Sequence, residues 1–263
     1  MHATGHLDAK PLDPTRRFSN RVVDYVRYRP HYPDTLQRTL RDRAGLWPGS
    51  VVADVGSGTG ISSRMFLDLG CTVHAVEPNA DMRRAAEQWL GGRHSFHSVD
   101  ARAEDTTLPE ASVDLIAAGQ AFHWFDPVKA KKQFARILKP GGHVALFWNT
   151  RRTGGTAFMR AYEALLKRFG TDYQQVPRSP SSLGLDGLFD QPCERHVFDH
   201  HQMLDLTSLR GRLLSSSYSP AEGHPNHIPM LAELERMFRT HAENGSVRIE
   251  YDTELYVGCF ERP

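Results

Sequence analysis

The chain has 263 residues, 40% of them hydrophobic and 24% charged, which suits one compact unit and matches neither disordered nor low-complexity composition. Thirty-two Lys and Arg against 31 Asp and Glu leave a formal charge of +1, so no global field recommends nucleic acid or an acidic membrane as a partner. No run approaches the roughly 18 apolar residues of a membrane span, and residues 1–18 hold no apolar stretch of the signal-peptide kind, so a cytoplasmic chain is expected.

Between Val51 and Trp148, short β-rich runs alternate with amphipathic stretches, the pattern of a parallel sheet covered on both faces. Strands are predicted over Val51–Val55, Thr72–Glu77, Ser95–Val99, Val113–Ala118 and His143–Trp148. Helical stripes fall between them: Ile61, Met65 and Leu69, then Met82, Ala86, Trp89 and Leu90, then Ala130, Phe134, Ile137 and Leu138. The last of these is bounded by an Asp126-Pro127 start and a Lys139-Pro140-Gly141-Gly142 stop. Beyond Asn149 a helix through Phe158, Tyr162, Leu165, Leu166 and Phe169 leads into a Pro/Ser/Gly-rich stretch from Pro177 to Gly187, read as an insertion over the sheet edge. A strand over Arg195–Met203, helices near Thr207–Ser216 and Pro229–His241, and a closing strand over Val247–Phe260 complete the sheet.

Cys71, Cys193 and Cys259 are odd in number and widely spaced, which builds neither a disulfide framework nor a zinc site. The pairs His200-His201, His94/His97 and His224/His227 each lack a second pair at a ligand spacing, so no metal is expected.

The strongest local signal is VADVGSGTG, where an apolar strand runs directly into Gly56, Gly58 and Gly60 at the start of a helix. Glycines here permit a tight turn and leave no side chain between a ligand and the main chain. Glu77, 17 residues past Gly60, ends the next strand, where a carboxylate can accept hydrogen bonds from both hydroxyls of a ribose. The loop spacing is G-x-G-x-G rather than the G-x-G-x-x-G of nicotinamide proteins, which places a dinucleotide second.

These residues resemble the class I S-adenosylmethionine-dependent methyltransferases, whose first motif has the form of D-V-G-S-G-T-G at Asp54–Gly60. The segments FSNRVVDYVRYRPHYP (Phe18–Pro33) and QAFHWFD (Gln120–Asp126) resemble, more narrowly, the small-molecule group related to trans-aconitate methyltransferase. The resemblance implies an α/β fold, Rossmann-like and doubly wound, with a mostly parallel seven-stranded sheet, helices on both faces and a small helical cap insertion. Its parts would be a lid segment and first helix (1–45), a cofactor-binding core (46–149), a cap insertion (150–195) and closing strands and helices (196–263).

The resemblance also implies roles. Asp54 orients the glycine loop and reaches toward the methionine amino group; Gly56, Ser57, Gly58 and Gly60 border the methionine and ribose; Glu77 holds the ribose. Asp100 and the Ala101 backbone contact adenine, with Asn79 or Met82 lining the adenosine pocket. Gln120 to Trp124 follow the fourth strand at the carboxyl edge, where open α/β sheets bind ligands, and Gln120 is assigned to the cofactor. His123 is either a general base or a wall of the pocket, and Trp124 and Phe125 are apolar walls able to exclude water. Tyr25, Tyr28, Arg29 and Tyr32 belong to a segment that in the family folds over the cofactor, and Arg29 offers a bidentate fork to a carboxylate.

The expected function is methyl transfer from S-adenosylmethionine to a small molecule, at a carboxylate or hydroxyl oxygen, by a monomer or homodimer. Nucleic-acid methylation is disfavoured: no Asn/Asp-Pro-Pro-Tyr sequence of the kind base-amino methyltransferases carry follows the fourth strand, and Pro192-Cys193 falls after the fifth, which removes a cytosine-methylating reading. A non-catalytic S-adenosylmethionine-binding protein and a nicotinamide oxidoreductase are the alternatives.

Overall fold

The computed structural model describes residues 22–175, 188–189 and 192–260. Phe18–Arg21 of the expected lid and the Pro177–Gly187 stretch lie outside the described residues. Seven strands form one sheet: β1 (Val51–Val55), β2 (Thr72–Val76), β3 (Phe96–Val99), β4 (Val113–Gly119), β5 (Leu138–Arg151), β6 (Glu194–Leu204) and β7 (Val247–Gly258). Their spatial order is β3-β2-β1-β4-β5-β7-β6. β1 to β5 run parallel to one another, while β7 runs antiparallel to both β5 and β6. The strand order reverses at β1 and β4, and the crevice beyond their carboxyl ends is where such sheets take ligands.

Eight α-helices are described: α1 (Val22–Tyr28), α2 (Asp34–Ala44), α3 (Ile61–Asp68), α4 (Ala80–Leu90), α5 (Pro127–Ile137), α6 (Ala157–Phe169), α7 (Leu206–Leu214) and α8 (His227–His241). Alternation along the strands sorts the core into two layers. Val52, Leu115, Ala117 and Phe147 meet Leu36 and Leu40 of α2, Met65 and Phe66 of α3, and Ala86 and Leu90 of α4. Their strand neighbours Ala53, Ile116, Ala118, Leu146 and Trp148 meet Ala130, Phe134 and Ile137 of α5 on the opposite face. Helix starts follow the local chemistry: Asn79 accepts from the Asp81 and Met82 N–H groups, and Asp126 from those of Val128 and Lys129, with Pro127 in the first turn.

One expected boundary needs correction. β5 begins at Leu138 rather than His143, because Leu138 pairs with Val113 before the Pro-Gly-Gly segment bulges out; the register then advances from Val113 to Leu115 on β4 and from Leu138 to His143 on β5. The helix of the expected 150–195 insertion, α6, packs with later elements. β5 and β7 extend together to the Arg151–Tyr251 pair, and the apolar face of β7 there, Val247, Ile249 and Tyr251, gathers α6, α7 and α8 into one cluster. Leu165 and Leu166 of α6, Leu209 and Leu213 of α7, and Leu234 of α8 fill it.

Candidate active site

At the end of β1 the chain turns at Gly56, whose φ of +69° disfavours a side chain and whose added Cβ would meet the Ala121 methyl at 2.5 Å. The Gly56 and Ser57 N–H groups donate to the Val76 carbonyl at 2.8 and 3.2 Å, tying the loop to the end of β2. Glu77 holds the loop from the next position. One carboxylate oxygen accepts from the Gly58 N–H at 2.9 Å and the other from the Asn79 N–H at 2.8 Å. Burial raises the Glu77 pKa, against the pull of these hydrogen bonds. Each oxygen keeps a lone pair for a further donor.

The three glycines divide the work. Nothing lies within 4 Å of a Cβ placed on Gly58, so the main chain there is open to a ligand. At Gly60 a Cβ would strike Leu90 Cδ1 at 2.7 Å, and the residue does not line the cavity; it lets α3 pack against α4. Gly60 thus has a packing role in this structure.

Asp54 is fully buried below the loop, behind the cavity-lining residues Gly56 to Thr59 rather than among them. Its Oδ2 accepts from the Ser62 and Ser63 hydroxyls at 2.8 and 2.6 Å, while Oδ1 has no partner. Burial pushes its pKa up to about 6, with the two serine hydroxyls opposing. The buried hydroxyls of Ser57 and Thr59, both in the cavity wall, are also unmatched.

A cavity of about 880 Å³ opens at this edge of the sheet. One end is walled by Glu77, Asn79, Met82, Arg102, Ala103 and Glu104. Asp100 and Ala101, expected at the adenine, do not line it. The Asp100 carboxylate is exposed and paired with Arg83 at 2.7 Å, and Ala101 packs in the core beneath, so the wall is carried by the residues two to four positions after Asp100. The sequence HSVDARAED offers three acidic positions, Asp100, Glu104 and Asp105, and of these Glu104 lines the cavity.

Past the end of β4, Gln120 lines the cavity at a φ of +59°, held by its N–H to the Phe147 carbonyl at 2.9 Å and its side chain to the Asn149 carbonyl at 3.2 Å. The following Phe122–Trp124 turn places His123, exposed, and Trp124, half-buried, in the wall with ring centroids 4.7 Å apart. Phe125 fills the space between the turn and α5, against Phe122 and Phe134.

The far end is built from distant segments. Tyr25, Arg29 and Tyr32 reach it from the N-terminal side; Tyr32 stands edge-on to Phe147 with its hydroxyl where a Gly119 Cβ would be. Tyr28, grouped with them in the sequence reading, turns away: α7 carries Gly211 where a Cβ would collide with the Tyr28 ring. Arg151, Tyr173, Arg212 and Tyr218 complete this end and were not singled out from the sequence. They lie on β5, after α6, on α7 and after α7, and no local motif joins them.

A parallel sheet with this strand order, a glycine loop after β1 and a buried acid after β2 define a nucleotide-cofactor enzyme of the Rossmann-like class. A methyltransferase-domain profile matches residues 53–146. An uncharacterized methyltransferase of Mycobacterium bovis is 35% identical over 250 residues, covering 92% of this chain and 94% of its own. One of Schizosaccharomyces pombe is 34% identical over 140 residues; this chain spans 53% of its length. Among solved structures, a protein assigned as a type II methyltransferase from Anaeromyxobacter dehalogenans aligns with a TM-score of 0.67 at 24% identity, covering 88% of this chain and 97% of that one. A phosphoethanolamine N-methyltransferase of Haemonchus contortus, solved with S-adenosylhomocysteine, shares the fold with a TM-score of 0.54 at 12% identity, covering 93% of this chain and 58% of that one.

The chain belongs to the class I S-adenosylmethionine-dependent methyltransferases. The site fits that cofactor on its own chemistry: Glu77 offers acceptors to a ribose, Asp54 Oδ1 is a buried anion without a partner for an ammonium, and the Ser57 and Thr59 hydroxyls await donors or acceptors. Among the described residues no group of three or more His, Cys, Asp and Glu could hold a metal ion, and no helix is long and apolar enough to cross a membrane.

Proposed function

We propose that this methyltransferase acts on a small molecule, at a carboxylate or hydroxyl oxygen. The observation that carries the reading is a continuous cavity of about 880 Å³, which runs from the Glu77–Asn79 end to the Arg29–Tyr218 end, near the top of the size range for small-ligand sites. Its roof supports a small acceptor: α1 bridges α4 and α7, which leaves room for a metabolite and hinders a base carried on a polymer.

S-adenosylmethionine, when bound, supplies an electrophilic methyl group on a sulfonium. The chain's own work is binding, orientation and exclusion of water. Glu77 holds the ribose, Asp54 the amino group, and Gly56, Ser57, Gly58 and Gln120 border the methionine portion. Ala103 and Glu104 take the adenine end in place of Asp100 and Ala101. Trp124 presents an aromatic face suited to a cation and closes the cavity to water. A hydroxyl acceptor must lose its proton, and His123, the one imidazole among the described cavity-lining residues, is placed to take it; an ionised carboxylate needs no base. Tyr25 and Arg29 act on the acceptor as binding groups.

Incubation with methyl-labelled S-adenosylmethionine and a panel of small carboxylic acids and hydroxylated compounds tests this reading. Label released by mild alkali as methanol marks a carboxylate ester, and alkali-stable label on a hydroxyl marks an ether. Label found on nitrogen or carbon, or only on a macromolecule, would overturn it.

A further inference from the structure

Four tyrosines (Tyr25, Tyr32, Tyr173 and Tyr218) and four arginines line the far end of the cavity, and the arginines are not equivalent. Arg151 is matched, its guanidinium 2.5 Å from the Glu163 carboxylate. Arg152, next in the chain, is matched by Asp252 at 2.6 Å. Arg29 and Arg212 have no carboxylate within ion-pair distance among the described residues. Arg212 is only 5% exposed; its Nε donates to the Tyr251 hydroxyl at 3.1 Å and Nη1 to the Ser216 hydroxyl at 3.0 Å, both neutral. Arg29 places Nη2 on the Ser215 carbonyl at 2.8 Å and lies over the Tyr25 ring at 4.6 Å, while its buried Nε has no partner.

Two guanidinium groups therefore converge on adjacent serines, Ser215 and Ser216, and both arginines line the cavity. Each carries five donors, and the protein engages one on Arg29 and two on Arg212. Their mutual proximity is unfavourable: burial and the Arg212 charge both lower the Arg29 pKa. At the Tyr218 hydroxyl, burial alone would raise the pKa, yet Arg212 and Arg29 outweigh it and bring it below the ordinary value. A positive potential is thus concentrated in a partly closed space, where it is screened least. Buried like charges kept together without a counter-ion are costly to the fold, and their place in a ligand cavity indicates that the counter-ion is the ligand.

We propose that Arg29 and Arg212 form an oxyanion anchor: the methyl acceptor is an anionic small molecule, and a carboxylate or phosphate it carries is gripped between the two guanidinium groups against Tyr218. The anchored group is not the one methylated. It fixes the acceptor at the cap end so that a second oxygen lies toward Trp124 and His123. The anchor rests on the methyltransfer reading for the identity of its occupant, and the anion site itself stands on the two unmatched arginines. Arg29 reaches the anchor from the N-terminal segment and Arg212 from α7, so a bound anion also ties the roof to the cap.

The test is calorimetric titration of the full chain, saturated with S-adenosylhomocysteine, with inorganic phosphate, phenyl phosphate, succinate and the neutral succinamide. At least one oxyanion is expected to bind at millimolar concentration or tighter, with succinamide silent, and phosphate against succinate ranks the two chemistries. Arg29→Gln and Arg212→Lys should each weaken that binding by about tenfold or more, Arg29→Lys by less than Arg29→Gln, with S-adenosylhomocysteine affinity unchanged and thermal unfolding confirming the fold. No oxyanion binding by the wild-type complex, equal binding of succinamide, or binding that survives Arg29→Gln would overturn the anchor. Oxyanion binding by a folded chain that ignores S-adenosylhomocysteine would instead keep the anchor and remove the methyltransfer reading.

Discussion

Asp54 offers the sharpest test of the cofactor end. Its carboxylate is fully buried, two serine hydroxyls occupy one oxygen, and the other has no partner. Burial raises its pKa from 3.8 to about 6. In the free protein that gap corresponds to roughly 3 kcal/mol. The folded value lies above the unfolded one, so this contribution to stability is complete below about pH 4 and is lost as pH rises through about 6. Binding runs in the opposite direction. An ammonium at Oδ1 requires the ionised carboxylate, so affinity for S-adenosylhomocysteine should be flat above about pH 7 and fall about tenfold for each pH unit below 6. Calorimetric titration at pH 7.5 and 5.0 reads the difference directly, roughly tenfold weaker binding at the lower pH. Asp54→Asn should bind weakly at both pH values, with the slope gone, whereas Glu77→Gln should bind weakly and keep the slope. A wild-type affinity that does not change between these pH values would refute the placement of the amino group at Asp54.

Other outcomes follow from single contacts. Glu77→Ala removes a charged acceptor and two loop hydrogen bonds, and should weaken S-adenosylhomocysteine binding by about 1.5–3 kcal/mol in the same titration. Asp100→Ala should leave that affinity unchanged, since only a surface ion pair with Arg83 is lost; a drop of about tenfold would return Asp100 to the adenine. Gly60→Ala combines a φ of +90° with a contact on Leu90 and should lower stability by about 1–3 kcal/mol in thermal unfolding, with cofactor affinity of the folded protein intact. His123→Ala should cut turnover on a hydroxyl acceptor roughly 100-fold or more at unchanged cofactor affinity, and a loss of only a few-fold would leave the imidazole as a wall.

Much of the fold was legible because its signals are local. A strand buried on both faces is a short apolar run, a helix between two such strands shows one stripe, and Asp126-Pro127 marks its start within two residues. Glu77 could be found because the acid, the strand end and the glycine loop have fixed spacing along the chain. Errors arose where the outcome depends on a neighbour. β5 starts at Leu138 because Val113 is beside it, which the Pro-Gly-Gly segment does not reveal. Gly60 looks like its two companions in the motif, and only the Leu90 side chain on the next helix shows that it serves packing. Asp100 precedes Ala103 and Glu104 by a few residues, and Arg83, six residues after Glu77 on α4, decides which of them faces the cavity.

The acceptor end was illegible for a stronger reason. Its charge pattern exists only in three dimensions: Arg29 and Ser215, hydrogen-bonded at 2.8 Å, are 186 residues apart in the chain. On α7, Arg212 reads as an ordinary basic residue in the last helical turn, a favourable place for a cation on electrostatic grounds alone. What distinguishes it is that no acid among the described residues lies within ion-pair distance of it, and partnership is a property of the packed state. The same packing explains Gly211 beside it, which admits the Tyr28 ring and so brings α1, with Arg29 just beyond its end, down onto α7. A residue without a side chain thus lets α1 and α7 approach, and a bulkier side chain at 211 would press on Tyr28 before it met either arginine.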